Sequence, residues 1–114
     1  MFHFLISGAL MKSVLFAALI LAGLNAAHAE EHLAVQRARA FAPAELKIRV
    51  GDSVRFSNED AFSHSVLSSS EAKSFDLGTL PKGTQRSVTF DKTGVVDVIC
   101  GIHPNMKMRI VVAP

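Results

Sequence analysis

Near its C-terminal end the chain reads Cys100-Gly101-Ile102-His103-Pro104-Asn105-Met106, and a further histidine, His64, stands well upstream. A thiolate, two imidazoles and a thioether are the donors copper uses for single-electron transfer. Two nitrogens and the sulfur form a trigonal plane, with a long axial methionine. Three of these donors share one loop, and the fourth must be brought to them by the fold. Each residue alone has a plainer explanation. A single cysteine at a strand end is usually a small buried hydrophobe, and methionine commonly fills core gaps. The coincidence of donor type and spacing is what favours a metal.

The elements that must carry these donors read as strands. Glu45 to Val50 alternates polar and apolar residues, Gly51-Asp52 turns, and Ser53 to Ser57 alternates again. Period-2 patterning of this kind predicts half-buried strands, here joined as a hairpin. Val66-Leu67 continues from His64, Ser68-Ser69-Ser70-Glu71 reads as loop, and Leu80 to Thr84 as a turn. Ser87 to Phe90 alternates, Val95 to Cys100 suits a buried central strand, and Met108 to Val112 closes the chain. A first strand is expected within His32–Ala40, around Leu33 and Val35. About seven or eight short strands, and no helix beyond the N-terminal segment, predict an all-β antiparallel sandwich or barrel.

Lys12 is the only charged residue before Glu30, the run Val14–Leu24 is apolar, and Ala27-His28-Ala29 has the small-residue spacing of a cleavage site. This predicts a secretory signal peptide over residues 1–29, with Met11 as an alternative start, followed by one domain over residues 30–114. An uncleaved anchor is the competing reading, since residues 2–24 approach the roughly 20 apolar residues of a membrane span. Without Lys12 the net charge drops from +2 to near +1 and no basic block remains, which excludes nucleic-acid binding. Cys100 is the only cysteine, so no disulfide forms within the chain. A bound metal would occupy a thiol otherwise open to oxidation after export.

The ligand loop satisfies the pattern C-x-x-H-P-x-M through Cys100, His103, Pro104 and Met106, and by it the chain resembles the cupredoxin family, most closely its amicyanin and small plastocyanin-like members. Phe56-Ser57-Asn58-Glu59-Asp60 before His64-Ser65-Val66, Phe41-Ala42-Pro43 and Phe75-Asp76-Leu77-Gly78 resemble family segments too. The resemblance implies a Greek-key β-sandwich holding one copper ion that cycles between Cu(I) and Cu(II). His64, Cys100 and His103 would be its equatorial ligands and Met106 its axial one. It also implies a hydrogen bond from the Ser65 backbone N–H to the Cys100 sulfur. Met108, five residues after His103, is the alternative axial donor, although it also begins the core alternation Met108, Ile110, Val112.

The implied role is a periplasmic one-electron carrier, not an enzyme, since the protein's own donors fill the metal's positions. A monomer would dock transiently with a redox donor and acceptor near His103, free of the membrane after signal cleavage. Ile102 and Pro104, with Ala42, Pro43 and Phe62 as further candidates, would form an apolar rim suited to a small interface. Val98 and Ile99 stand where many relatives carry an aromatic residue before the cysteine, which removes that remote electron route. The alternative function is periplasmic copper binding and delivery. A second copper site is conceivable at Glu30-Glu31-His32, where a free amine and a third-position histidine could supply square-planar nitrogens.

Overall fold

The computed structural model describes residues 28–114. The signal peptide expected over residues 1–29 thus falls almost wholly outside the described residues. Nine strands run β1 (Glu31–Arg37), β2 (Ala40–Ala42), β3 (Glu45–Arg49), β4 (Ser53–Asn58), β5 (His64–Ser70), β6 (Lys73–Leu80), β7 (Gln85–Thr89), β8 (Gly94–Ile99) and β9 (Lys107–Ala113). One sheet has the order β2-β1-β4-β7 and the other β3-β9-β8-β5-β6. The architecture is the expected all-β sandwich, with no helix among the described residues. Two of its pairings, β1 with β4 and β3 with β9, are parallel.

Alternation along each strand supplies the core. Val54 and Phe56 of β4, Val96 and Val98 of β8, and Ile110 and Val112 of β9 all face inward with Phe90 and Leu80. Phe75 joins the two sides of this core, its ring 6.1 Å from that of Phe56 and 6.2 Å from that of Phe90.

Several local expectations are corrected. The runs Glu45–Val50 and Ser53–Ser57 do not form a hairpin: β3 lies in one sheet beside β9, and β4 lies in the other between β1 and β7. Gly51, at φ +96, lets the chain cross between sheets. Its N–H donates to the Phe90 carbonyl at 2.7 Å while the Val50 N–H donates to Ala113 at 2.9 Å, so the turn is tied to both layers. In β1 the inward residues are Ala34 and Gln36, whereas Leu33 is 48% exposed. The serine run is strand, not loop, because Ser68 to Ser70 pair with Phe75, Ser74 and Lys73 across a tight hairpin. Val95 and Asp97 are exposed, so β8 is central in its sheet yet buried on one face only.

Far from Cys100, Asp52 anchors the start of the fold. Its carboxylate accepts the Glu30 N–H at 2.9 Å, the Arg49 N–H at 3.0 Å and a hydrogen bond from His32 Nε2 at 2.9 Å. The square-planar site considered at residues 30–32 would compete with these bonds and with the pairing of β1 on β4. The N–H groups of Glu30 and Arg49, then the His32 ring, outweigh burial and lower the Asp52 pKa from 3.8 to about 2. A pKa lowered by folding stabilises the folded state above the unfolded value, and that contribution is lost as pH falls through the folded one. Asp52→Asn should therefore lower the denaturant midpoint at neutral pH, and its deficit should shrink between pH 4 and pH 2. A deficit independent of pH would contradict this role.

Candidate metal centre

One end of the sandwich gathers the C-terminal ends of β1, β4, β6 and β8 and the beginnings of β5 and β9. His64 is the first residue of β5, fully buried, and pairs with Leu80. The β5–β6 register slips between Ser65 and Leu67. Such irregularities re-aim side chains beside functional sites, and here His64, Ser65 and Val66 are buried in succession. Cys100 leaves the end of β8, also fully buried. The loop after it closes on itself through Met106 N–H to the His103 carbonyl at 2.9 Å and Cys100 N–H to the Met106 carbonyl at 3.2 Å.

The donor atoms converge. His64 Nδ1 lies 3.8 Å from Cys100 Sγ, His103 Nδ1 lies 3.9 Å from it, and the two nitrogens are 3.2 Å apart. Metal bonds of about 2.0 Å to nitrogen and 2.3 Å to sulfur, spread evenly in a plane, would put S–N at about 3.7 Å and N–N at about 3.5 Å. His64, Cys100 and His103 therefore form a cluster suited to one copper ion, with all three ligand atoms within 4.8 Å of one another.

Each donor is held by the protein. His64 Nε2 bonds Asp60 Oδ2 at 2.7 Å, which leaves Nδ1 as the lone-pair nitrogen facing the sulfur. Asp60 also accepts the N–H groups of Ala38 at 2.7 Å and Arg39 at 3.0 Å. Burial works against the Asp60 charge, but hydrogen bonds from His64, Arg39 and Ala38 prevail and hold its pKa below the ordinary value. The Ser65 N–H donates to Cys100 Sγ at 3.3 Å, as the resemblance implied. Burial likewise opposes the Cys100 thiolate, yet the groups facing it, led by the backbone N–H donors of Ser65 and His103, bring its pKa from 9.0 to about 6. At neutral pH the sulfur is thus ready to bind a metal.

Met106 and Met108 are both buried, at 1% and 2% exposure, so burial does not separate them. Register does. Met108 pairs with Val98 and Lys107 with Ile99, and the Cys100–Met106 hydrogen bond extends this ladder by one position. Met106 therefore stands opposite Cys100, whereas Met108 stands two residues deeper along β9.

Three further residues support the site in roles the sequence did not assign them. Gln36, fully buried, donates from Nε2 to the Ser65 carbonyl at 3.1 Å, fixing the strand that carries the sulfur's hydrogen-bond donor. Asn58 donates to the carbonyls of Phe62 and Leu80, both at 2.8 Å, and accepts the Asp60 N–H at 2.9 Å, bracing the loop before His64. Gly101 fits because a Cβ there would sit 3.1 Å from Leu67 and 3.2 Å from Ser65 Oγ, which accepts the Gly101 N–H at 2.7 Å. Phe62 lies over the site, its ring 5.1 Å from that of His64 and 5.7 Å from that of His103.

The family model described as copper binding proteins, plastocyanin/azurin family, matches residues 29–113. The chain belongs to that family. Among solved structures it is similar to a copper-containing nitrite reductase from Thermus scotoductus SA-01, with 30% identity and a TM-score of 0.70 over 74% of this chain. That match spans only 22% of the reductase chain. A reduced-state structure of an amicyanin mutant is similar at 27% identity and TM-score 0.66, over 73% of this chain and 82% of its own. A purple cupredoxin from Nitrosopumilus maritimus shares the fold at 23% identity and TM-score 0.65, over 72% of this chain and 99% of its own. No functionally curated sequence matches the chain.

In the metal-free protein, the ultraviolet thiolate band of Cys100 should rise with a midpoint near pH 6. Because this pKa is lowered by folding, metal-free stability should increase as pH climbs from about 6 toward 9. A thiol titrating near 8.5 would mean that the donors are not aligned before the metal arrives.

Proposed function

We propose that this chain is an exported type-1 copper protein that carries single electrons between redox partners. His64 Nδ1, His103 Nδ1, Cys100 Sγ and Met106 would hold the copper. The observation that carries this reading is the convergence of one sulfur and two ring nitrogens at metal-bridging separations in a buried pocket. The copper supplies a reversible one-electron couple, and the chain's own residues supply the rest. Asp60 fixes the His64 tautomer, and the Ser65 N–H offsets negative charge on the sulfur. The register that faces Met106 with Cys100 supports Met106 over Met108.

Carriage of electrons, not turnover of a substrate, fits a site whose four positions the protein itself fills. Beside the partly exposed His103, Ile102 is 50% exposed and Phe62 39% exposed. An apolar edge next to a ligand histidine suits brief, dry docking by a donor and then an acceptor. In this reading residues 1–29 are a signal peptide, residues 30–114 are the domain, and the mature protein is a periplasmic monomer.

Addition of Cu(II) to purified mature protein should give an intense visible band and a narrow copper hyperfine pattern in EPR, reversibly bleached by reductant. Cys100→Ser should abolish the band while the fold persists. Met106→Ala should change the spectrum and the reduction potential, whereas Met108→Ala should mainly lower stability, by about 2–5 kcal/mol for a buried methionine. Spectral change in the Met108 variant alone would reassign the axial ligand. Copper that binds but does not cycle would favour delivery of the ion over carriage of electrons.

Ser65→Ala probes the surroundings of the sulfur more gently. Its N–H remains, but the hydroxyl 3.9 Å from Sγ, which accepts the Gly101 N–H, is lost. A loss near 1 kcal/mol of selective support for the electron-rich sulfur corresponds to about 40 mV per electron. The potential should fall by up to that amount, as read by voltammetry. A rise would show that the hydroxyl does not support the reduced site.

A further inference from the structure

The side chain of Arg39 lies over the Phe62 ring, with Cζ 5.2 Å from its centroid, and Phe62 in turn packs on both site histidines. Among the described residues no carboxylate pairs with this guanidinium, although Arg37 beside it is bridged to Glu59 at 2.7 Å. Arg39 is exposed, at the tip of the β1–β2 turn. Lys107 opens β9 next to Cys100 at this same end. Lys82 belongs to the turn whose Gly83 and Thr84 bond Asn58. Glu59 and Asp60 also lie at this end, but Glu59 is taken up by Arg37 and Asp60 by His64, whereas Glu30, Glu31, Asp52, Glu71 and Asp91 lie at the other end with Lys73 and Lys92. Arg39, Lys82 and Lys107 are thus cations with no carboxylate partner among the described residues, and they stand around the metal cluster. A charge distribution of this kind steers encounters.

We infer that the Arg39–Phe62 pair is a docking element for an electron-transfer protein that presents carboxylates around its own redox centre. Phe62 supplies apolar contact above both histidines. Arg39, stacked on that ring, meets an acidic group without having to break an ion pair first. Arginine stacked on an aromatic ring loses less conformational freedom on docking than a free lysine would. This inference rests on the electron-carrier reading, so its test needs one readout that does not depend on copper.

The first measurement uses the copper-loaded mature protein reduced to Cu(I). It is oxidised in a stopped-flow instrument by hexacyanoferrate(III), each Cu(I) passing one electron to one iron(III), or by the cationic tris(phenanthroline)cobalt(III). The anionic oxidant should slow as salt rises, while the cationic one speeds up or stays level. Arg39→Gln should slow the anionic reaction at low salt roughly three- to tenfold, Arg39→Lys should restore most of it, and Lys92→Gln at the far end should leave it unchanged. The second measurement adds the inert relaxation agent hexacyanochromate(III) to metal-free protein and follows amide line widths by NMR. Broadening should centre on residues 38–39, 62 and 102–103, and should weaken in Arg39→Gln. Broadening centred on Lys73 and Lys92, or an Arg39→Gln rate equal to wild type, would overturn the inference. Absence of any reducible copper band would instead sink the carrier reading, leaving the NMR result to judge the docking surface by itself.

Discussion

A neutral imidazole has one N–H and one lone pair, and the Asp60 carboxylate decides which nitrogen of His64 carries which. With Nε2 held 2.7 Å from Oδ2, the proton stays on Nε2 and the lone pair of Nδ1 faces the Cys100 sulfur. The rest of the site follows from that one bond. His64 is fully buried, so without the carboxylate it would be a polar ring lacking a partner on its inner side. The carboxylate is itself affordable in a buried position only because two backbone N–H groups of the β1–β2 turn also point at it. Asn58, through the Asp60 N–H, ties the same loop to β6.

Copper prefers different surroundings in its two oxidation states, and a site that rearranges with each electron is slow. Here the donors are fixed by groups other than the metal. Asp60 orients His64, the Ser65 N–H meets the sulfur, and a closed loop from Cys100 to Met106 holds His103. Gln36 stiffens the Ser65 carbonyl from the opposite sheet at a cost, since its Oε1 is buried with no partner among the described residues. An amide left half satisfied in a dry interior costs about 1–3 kcal/mol. That amide holds in place the strand whose N–H meets the sulfur.

Much of this was legible in the sequence because it is local. Cys100, His103 and Met106 lie within one loop, and their spacing survives whatever the sheets do. His64 was legible because a donor was missing and one histidine stood at a strand start. Strand identity followed from alternation, but alternation says nothing of which sheet a strand joins. The false hairpin at residues 45–57 arose there: two amphipathic runs around Gly51-Asp52 fit a β-ribbon and a crossover between layers equally well. In β1 the apolar Leu33 and Val35 pointed to the wrong face, since the inward positions hold Ala34 and Gln36. A polar amide sharing a face with a small residue was the available signal. It becomes informative only once a buried carbonyl needing a donor is known, and that carbonyl belongs to another sheet.

The β1–β2 turn shows why such supports resist local reading. Ala38 and Arg39 both adopt positive φ, 53° and 57°, as a tight two-residue hairpin requires, yet neither is the glycine or asparagine that tolerates it. Left-handed backbone at an ordinary residue costs about 1–2 kcal/mol, so local propensity argues against this turn. What stabilises it is the carboxylate that receives its two N–H groups, and that same carboxylate holds the histidine. The strained turn, the ligand and the exposed arginine over Phe62 are thus one mechanical unit. Surface turn and buried ligand are therefore joined by hydrogen bonds to a single carboxylate, outside the hydrophobic core.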